Sequence, residues 1–155
     1  VNDVFGTQLS FNVVAPSLGD VIALAHQIET DMRYVCANES LWGNVTAVTV
    51  PVFFGMSLIV DVACSRAVAL ADMARALRKI KNVSVASGKK RLPSVVDSAA
   101  GETRLHVSIL SQPSESGNAS GTTQVVRLWI VADNIHRGRV FNALAIAATL
   151  LAVRR

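Results

Sequence analysis

Two cysteines and three histidines are the side chains of this 155-residue chain that could act as nucleophile, general base or metal ligands. Cys36 and Cys64 are not in a C-x-x-C pattern, so they predict neither a disulfide framework nor a zinc site. Isolated buried thiols in a reducing compartment are the simpler interpretation. His26, His106 and His136 are not spaced like metal ligands either. We therefore expect no metal site, and three imidazoles that lie at the surface or are partly buried.

An Asp-Asn pair, Asp133-Asn134, joins a strand-like run to a long apolar helix. The run Leu128-Trp-Ile-Val-Ala132 that precedes it is rich in residues that favour strands. Asp and Asn side chains accept hydrogen bonds from the unpaired N–H groups at the start of a helix. From the residues alone, the simplest role for Asn134 is therefore a cap for the final helix.

The final helix is predicted to run from about Ile135 to Val153, and its residues from Val140 onward leave little polar face. A helix that is apolar almost all round is either buried on several sides or packed against a partner. The helix is therefore either a central core element of this chain or a surface that another domain or subunit covers.

The formal net charge of +4 raises nucleic acid or an anionic membrane surface as partners. No aromatic residues are interleaved with the basic residues, and no nucleic-acid-binding signature accompanies them. A solvated helix face followed by a loop is the preferred interpretation, and binding to nucleic acid is not expected. The basic residues cluster in two groups, Arg75, Arg78, Lys79 and Lys81, and then Lys89, Lys90 and Arg91.

An uncharged stretch from Ser40 to Val60 is long enough to suggest a membrane span. Pro51 and Gly55 interrupt it, and Val, Thr and Phe dominate on either side, so two buried strands around a bend at Phe54-Gly55-Met56 fit better. The N-terminus lacks the basic region and continuous apolar stretch of a signal peptide. We expect no membrane anchor and a cytoplasmic location.

The elements that must position these residues are predicted in the order β-α-β-β-α-β-β-β-α. Ser17-Leu-Gly-Asp20 offers capping groups for a first helix from Val21 to Val35, and a second amphipathic helix is predicted from Arg66 to Ile80. The segments Ser87–Thr103 and Ser111–Thr123 are predicted to be mostly loop, the second one mobile. Short connections between adjacent strands favour antiparallel or mixed pairing, so we predict an α+β domain with one mixed, largely antiparallel sheet layered with helices. The expected strands are Leu9–Ala15, Val45–Phe54, Ser57–Cys64, Val83–Ala86, Arg104–Leu110 and Gln124–Ala132.

Four segments in order resemble aspartate-semialdehyde dehydrogenases, and together they cover nearly the whole chain. Leu128–Ala147 is similar to the family's Leu-Trp-Val-Val-x-Asp-Asn strand and the Gly-Ala-Ala-x-Asn-Ala-x-x-Ile-Ala helix that follows it. Phe5–Val14 resembles the family's Leu-Ala-Phe-Asn-x-Ile strand, and Val45–Ser57 resembles its Val-Pro-Val-x-x-Gly-His-Ser core. Pro93–Gly101 is similar to the family's Pro-x-x-x-x-Ala-x-Gly lead into the next strand.

The resemblance implies that residues 1–155 form one dimerisation and substrate domain, with the fold of the C-terminal domain of glyceraldehyde-3-phosphate dehydrogenase. Family members join this domain to an N-terminal NADP-binding domain that carries the catalytic Cys in an Asn-Cys-Ser/Thr context. We expect that domain to be absent here, because neither that context nor a glycine-rich phosphate loop occurs. The resemblance also implies a homodimer, and a final helix that the missing nucleotide-binding domain would cover.

Within this domain the residues that the family uses for chemistry are changed. The family's substrate-binding Arg aligns with Thr49 and its His base with Met56, and neither side chain can replace the group that is lost. The Lys that usually binds phosphate falls near Ala25, and Ser108–Ser111 replaces the family's Gly-Arg-Ile-Arg strand. Asn134 matches a family contact near the nicotinamide end of NADP. These losses resemble those of the Usg-type homologues.

We therefore predict no catalytic residues and no bound cofactor for this chain alone, although the family uses NADP, and we expect dimerisation to be its retained property. The first alternative is the substrate domain of a divergent NADP-dependent semialdehyde dehydrogenase of amino-acid biosynthesis, with the missing half supplied elsewhere. The second is a basic nucleic-acid-binding module built on Lys89-Lys-Arg91, which would bind with a steep dependence on salt.

Overall fold

A computed structural model describes residues 6–8, 10–15, 17–41, 43–86, 92–110, 114–118 and 121–153. Contacts divide the chain into two units, Val1–Phe53 and Phe54–Arg155. The basic cluster Lys89-Lys-Arg91 lies outside the described residues.

Ser17 begins the helix of the first unit, α1, which spans Leu18–Cys36. Its hydroxyl accepts a hydrogen bond from the Asp20 N–H at 3.3 Å and donates one to the Asp20 carboxylate at 2.6 Å. The helix ends where Ala37 adopts a left-handed conformation with φ 48°. The helix predicted from capping residues and apolar spacing is confirmed.

The two strands predicted for the first unit are wrong as far as the described residues show. Leu9–Ala15, whose first residue is not described, and Val45–Phe54 form one isolated bridge, Val14 to Thr49, with N–H···O distances of 2.9 and 2.7 Å. Much of the apolar surface of the second segment remains exposed. β-branched residues favour a strand only where a neighbouring strand pairs with them and another element packs on one face. Most of Val45–Phe54 has neither of these contacts.

A mixed sheet of five strands forms the second unit within the described residues. β5 pairs antiparallel with β1 along one edge and with β3 and β4 along the other, while β2 joins β3 in parallel. The predicted α+β class with a mixed, largely antiparallel sheet is confirmed. The strands are β1 Met56–Cys64, β2 Val83–Val85, β3 Leu105–Ile109, β4 Ser114–Asn118 and β5 Gly121–Ala132.

Two segments that were predicted to be loops contain regular structure. Within Ser111–Thr123, β4 pairs with the first residues of β5, and Asn118 is the register partner of Gly121. Ser, Gly and Asn are typical of long loops and equally of short hairpin turns, so composition alone did not distinguish the two. Within Ser87–Thr103, a π-helical turn spans Val95–Ala99, with the Ser94 hydroxyl accepting from the Asp97 N–H.

The core of the second unit lies between the sheet and α2, which spans Leu70–Lys79. The predicted second amphipathic helix is confirmed, with an apolar stripe toward the sheet, although the helix begins at Leu70 rather than at Arg66 and Ile80 lies beyond its end with 53% exposure. The basic side is solvated as predicted, with an exposed Arg75–Asp72 ion pair at 2.6 Å. The central residues are Val107, Val126 and Leu128, against which Leu70, Met73 and Leu77 pack.

The final helix begins later than predicted and is not a core element. A π-helical turn, His136–Phe141, precedes α3, which spans Asn142–Val153. Every residue of α3 is exposed; Leu150 is 61% and Leu151 66% accessible. The interpretation of a central core helix is therefore wrong for this chain.

Candidate functional site

Asp133 follows directly on β5 and is completely buried. One carboxylate oxygen accepts hydrogen bonds from the N–H groups of Ile135 and His136, both at 2.8 Å. The other oxygen accepts from the Gly101 N–H at 2.9 Å and lies 2.9 Å from the His136 Nδ1 atom. Asp133 therefore caps the turn after β5 and also ties it to the loop before β3.

The hydrogen bonds decide the charge state of Asp133. Burial alone would raise the pKa of this carboxyl group, because a charge is poorly solvated inside a protein. The N–H groups of His136, Gly101 and Ile135 and the His136 ring outweigh that effect and hold the pKa well below its usual range. Asp133 is thus a buried carboxylate whose lost solvation is replaced by hydrogen bonds from the protein.

Asn134 does not cap the final helix, so that interpretation is wrong. Its side-chain oxygen instead accepts a hydrogen bond from the Gly55 N–H at 2.7 Å. Gly55 has φ +99°, and a Cβ atom there would lie 2.2 Å from Cγ1 of Val95. Only glycine fits this conformation and this close approach without a shift of its neighbours. Asn134 and Val95 together hold the turn that leads into β1.

Met56 and Thr49 are the positions where the resemblance placed a base and a substrate clamp. Met56 is the first residue of β1, pairs with Ala132 and is 39% exposed directly after the Gly55 turn. Thr49 belongs to the first unit, where its backbone pairs with that of Val14. A thioether cannot exchange a proton, and a neutral hydroxyl cannot make a bidentate charged contact.

The histidines lie on the elements that were predicted for them. His26 is in α1, His106 in β3 and His136 at the start of the turn before α3. The contact between His136 and Asp133 was not anticipated, although their separation of three residues at a helix start was a usable signal. In the described part of the chain no group of three or more His, Cys, Asp or Glu side chains could hold a metal ion.

The cysteines take no part in this arrangement. Cys36 ends α1 and is exposed, so the expectation of a buried thiol is wrong there, and Cys64 ends β1 and is half-buried. No histidine hydrogen-bonds to either thiol among the residues that the structure describes. The described helices include none that is both long and apolar enough to cross a membrane.

The sheet has a second face, opposite α2, which carries an exposed ion pair. Because Val60 and Val62 pack toward α2, the alternating residues Ile59 and Asp61 point away from it. Asp61 receives two hydrogen bonds from Arg127, each 2.7 Å long, and this contact lowers the pKa of Asp61. We call the surface formed by Ile59, Asp61 and Arg127 the open face.

Comparison with known proteins gives relatives that are longer than this chain. A USG-1 protein homolog of Pseudomonas aeruginosa strain PAO1 is 32% identical over 154 residues, which are 96% of this chain and 43% of that protein. An aspartate-semialdehyde dehydrogenase of Shewanella sp. strain DB6705 is 27% identical, with the same coverage. No family model matches the chain. The chain thus spans less than half the length of these relatives.

Solved structures show the same fold. A probable aspartate-semialdehyde dehydrogenase from Pseudomonas aeruginosa is 30% identical with a TM-score of 0.74, over 96% of this chain and 43% of that one. Aspartate semialdehyde dehydrogenase II from Vibrio cholerae superposes with a TM-score of 0.84 at 22% identity, over 98% of this chain and 44% of that one. The second similarity supports the fold alone.

Proposed function

The chain corresponds to the C-terminal part of aspartate-semialdehyde dehydrogenase-like proteins, a group that includes the USG-1 homologues, and we propose that it is a catalytically silent dimerisation domain of such a protein. The observation that carries the proposal is the residue after the Gly55 turn. Met56 begins β1 there, and a thioether can neither accept nor give a proton. Thr49, at the position of the substrate clamp, lacks the charged fork that holds a carboxylate.

The open face supports association with a second copy. Ile59 is 64% exposed there, beside the two-pronged ion pair of Asp61 and Arg127. An apolar side chain bordered by polar groups is typical of protein interfaces, and twofold dimers are the commonest assembly of soluble proteins. We propose that this face contributes to a homodimer.

The exposed helix α3 supports a second contact, with the part of the longer protein that this chain does not contain. Its leucines at positions 144, 150 and 151 are 61% to 66% exposed. Such a continuous apolar surface marks an interaction site in a soluble protein. Since the relatives are more than twice as long as the matched region, we propose that a nucleotide-binding domain covers α3. The free thiols Cys36 and Cys64 agree with the proposed cytoplasmic location.

One observation favours the second candidate, the substrate domain of a divergent NADP-dependent dehydrogenase. Gly55 engages only the side-chain oxygen of Asn134. In the described part of the chain the Asn134 amide nitrogen makes no hydrogen bond, so its two N–H groups remain able to contact a cofactor amide or phosphate. A cofactor role for Asn134 would rest on those donors.

Turnover of the full natural protein separates the two candidates, and its mass in solution tests the dimerisation role. For a silent dimerisation domain we expect a dimer in sedimentation velocity and no NADP-dependent oxidation of aspartate semialdehyde. Turnover that disappears in Asn134→Ala would favour the divergent enzyme. A monomer at the highest concentrations that can be studied would refute the dimerisation role.

A further inference from the structure

Ser108 lies on β3 with its side chain on the sheet face that turns away from α2. Its neighbours Val107 and Ile109 pack toward the core with α2, so the alternation of the strand places Ser108 on the other side. The residue is 3% exposed, and its hydroxyl has no hydrogen-bond partner among the described residues. A buried hydroxyl without a partner is costly, so it calls for one.

His106 precedes Ser108 by two residues and therefore shares its face of the sheet. The His106 Nε2 atom is also buried without a partner in the described part of the chain. Burial is the largest cause that lowers the pKa of the His106 ring, and the nearby Arg104 guanidinium lowers it further. The lowered pKa favours the neutral imidazole, in which Nε2 is a hydrogen-bond donor or acceptor depending on the tautomer.

The covering of these groups comes from the segment before β3. The π-helical turn Val95–Ala99 packs against β3 and β5, and Ala99 is completely buried. Trp129 is the register partner of Ser108, and its ring N–H donates to the Pro93 carbonyl at 2.8 Å. The Trp129 hydrogen bond therefore anchors this segment over the part of this side that lies near β3, whereas the open face lies on β1 and the adjoining end of β5.

We propose that one internal water molecule, beneath the turn Val95–Ala99, bridges the Ser108 hydroxyl and His106 Nε2. Residues two apart on a strand have Cα atoms about 6.6 Å apart and present their side chains on the same face, so both orphaned atoms lie on the side that the turn covers. A water molecule with two hydrogen bonds of about 2.8 Å joins polar atoms that lie up to about 5.6 Å from each other. Buried waters typically satisfy such orphaned polar groups. This inference does not depend on the proposed function.

The test uses a high-resolution crystal structure of the natural protein together with NMR cross-relaxation between long-lived water and protons near His106 and Ser108. We expect an ordered water within hydrogen-bond distance of both atoms and a matching water signal. A Ser108 hydroxyl that donates to a backbone carbonyl, with no water beside it, overturns the proposal.

Two variants and a control make the result independent of one substitution. Ser108→Ala removes one partner, so the water signal should disappear and the His106 ring resonances should shift. Ser108→Thr keeps a hydroxyl and should retain the signal. Ser57→Ala removes an exposed hydroxyl of the same sheet and should leave both readouts unchanged. A water signal that survives Ser108→Ala also contradicts the bridge.

Discussion

Asp133 and Asn134 are adjacent in sequence, yet their side chains hold different segments. The carboxylate gathers Gly101 and the turn that starts at Ile135, whereas the amide oxygen holds Gly55. The pair therefore joins three loops at one end of the sheet. At the scale of single residues, Asp133 and Asn134 hold loops together. We therefore expect substitutions at this site to change the free energy of unfolding.

Gly55→Ala should lower the free energy of unfolding by about 2–5 kcal/mol, because the new Cβ would clash with Val95 and the positive φ would be strained. Urea denaturation measures this change. Gly101→Ala is a matched control, since Gly101 also has positive φ but no atom within 4 Å of its added Cβ. Equal losses for the two variants would show that the close approach to Val95 is unimportant.

Asp133→Asn should cost about 2–4 kcal/mol at neutral pH, because an amide cannot accept all the hydrogen bonds that the carboxylate receives. The folded-state pKa of Asp133 is depressed, so its contribution is present above the unfolded value of about 3.9 and is lost as pH falls below it. Denaturation from pH 7 to pH 2 should therefore show a weaker acid dependence in the variant. Asp61→Asn, at an exposed ion pair, should change the profile much less.

At the scale of elements, α2 and α3 show why an apolar composition does not decide burial. Both helices have apolar residues, but the stripe of α2 meets Val107 and Leu128 on the sheet, whereas α3 meets no comparable surface in the described part of this chain. A helix is buried only when another element presents a complementary face. The exposed apolar residues of α3 can therefore pack against a surface that does not belong to this chain.

Leu151→Ala should change the stability of this chain by about 0.5 kcal/mol or less, since the side chain is 66% exposed. Leu128→Ala, in the core, should cost about 2–5 kcal/mol. Denaturation of both variants gives the comparison. If the full natural protein covers α3, Leu151→Ala should become clearly destabilising there, and an unchanged small effect would argue against that contact.

At the scale of the whole molecule, the matched region is less than half of each relative, so the proposed function concerns assembly rather than chemistry within this chain. Ile59→Lys should weaken the homodimer at least about tenfold, because it places a charge where an apolar contact is proposed. Sedimentation equilibrium measures the dissociation constant. Ile80→Lys is the control, since Ile80 is similarly exposed but lies just after α2, away from the open face. Equal effects would place the interface elsewhere.

The local pattern of the sequence was sufficient to predict the helices α1 and α2, most of the strands in the second unit and the α+β class. The cap at Ser17 and the apolar stripe of α2 depend on residues that are a few positions apart in the sequence, so both can be predicted from the sequence alone. The local pattern failed at Val45–Phe54, where strand pairing depends on a partner distant in the chain, and it left open whether α3 is buried, which depends on the same kind of partner. The contacts of Asn134 with Gly55, 79 residues away, and of Asp133 with Gly101, 32 residues away, exist only after the sheet has brought their segments together. The tertiary structure alone therefore decided that this Asp-Asn pair clamps loops, because hydrogen-bond partners are chosen by proximity in space.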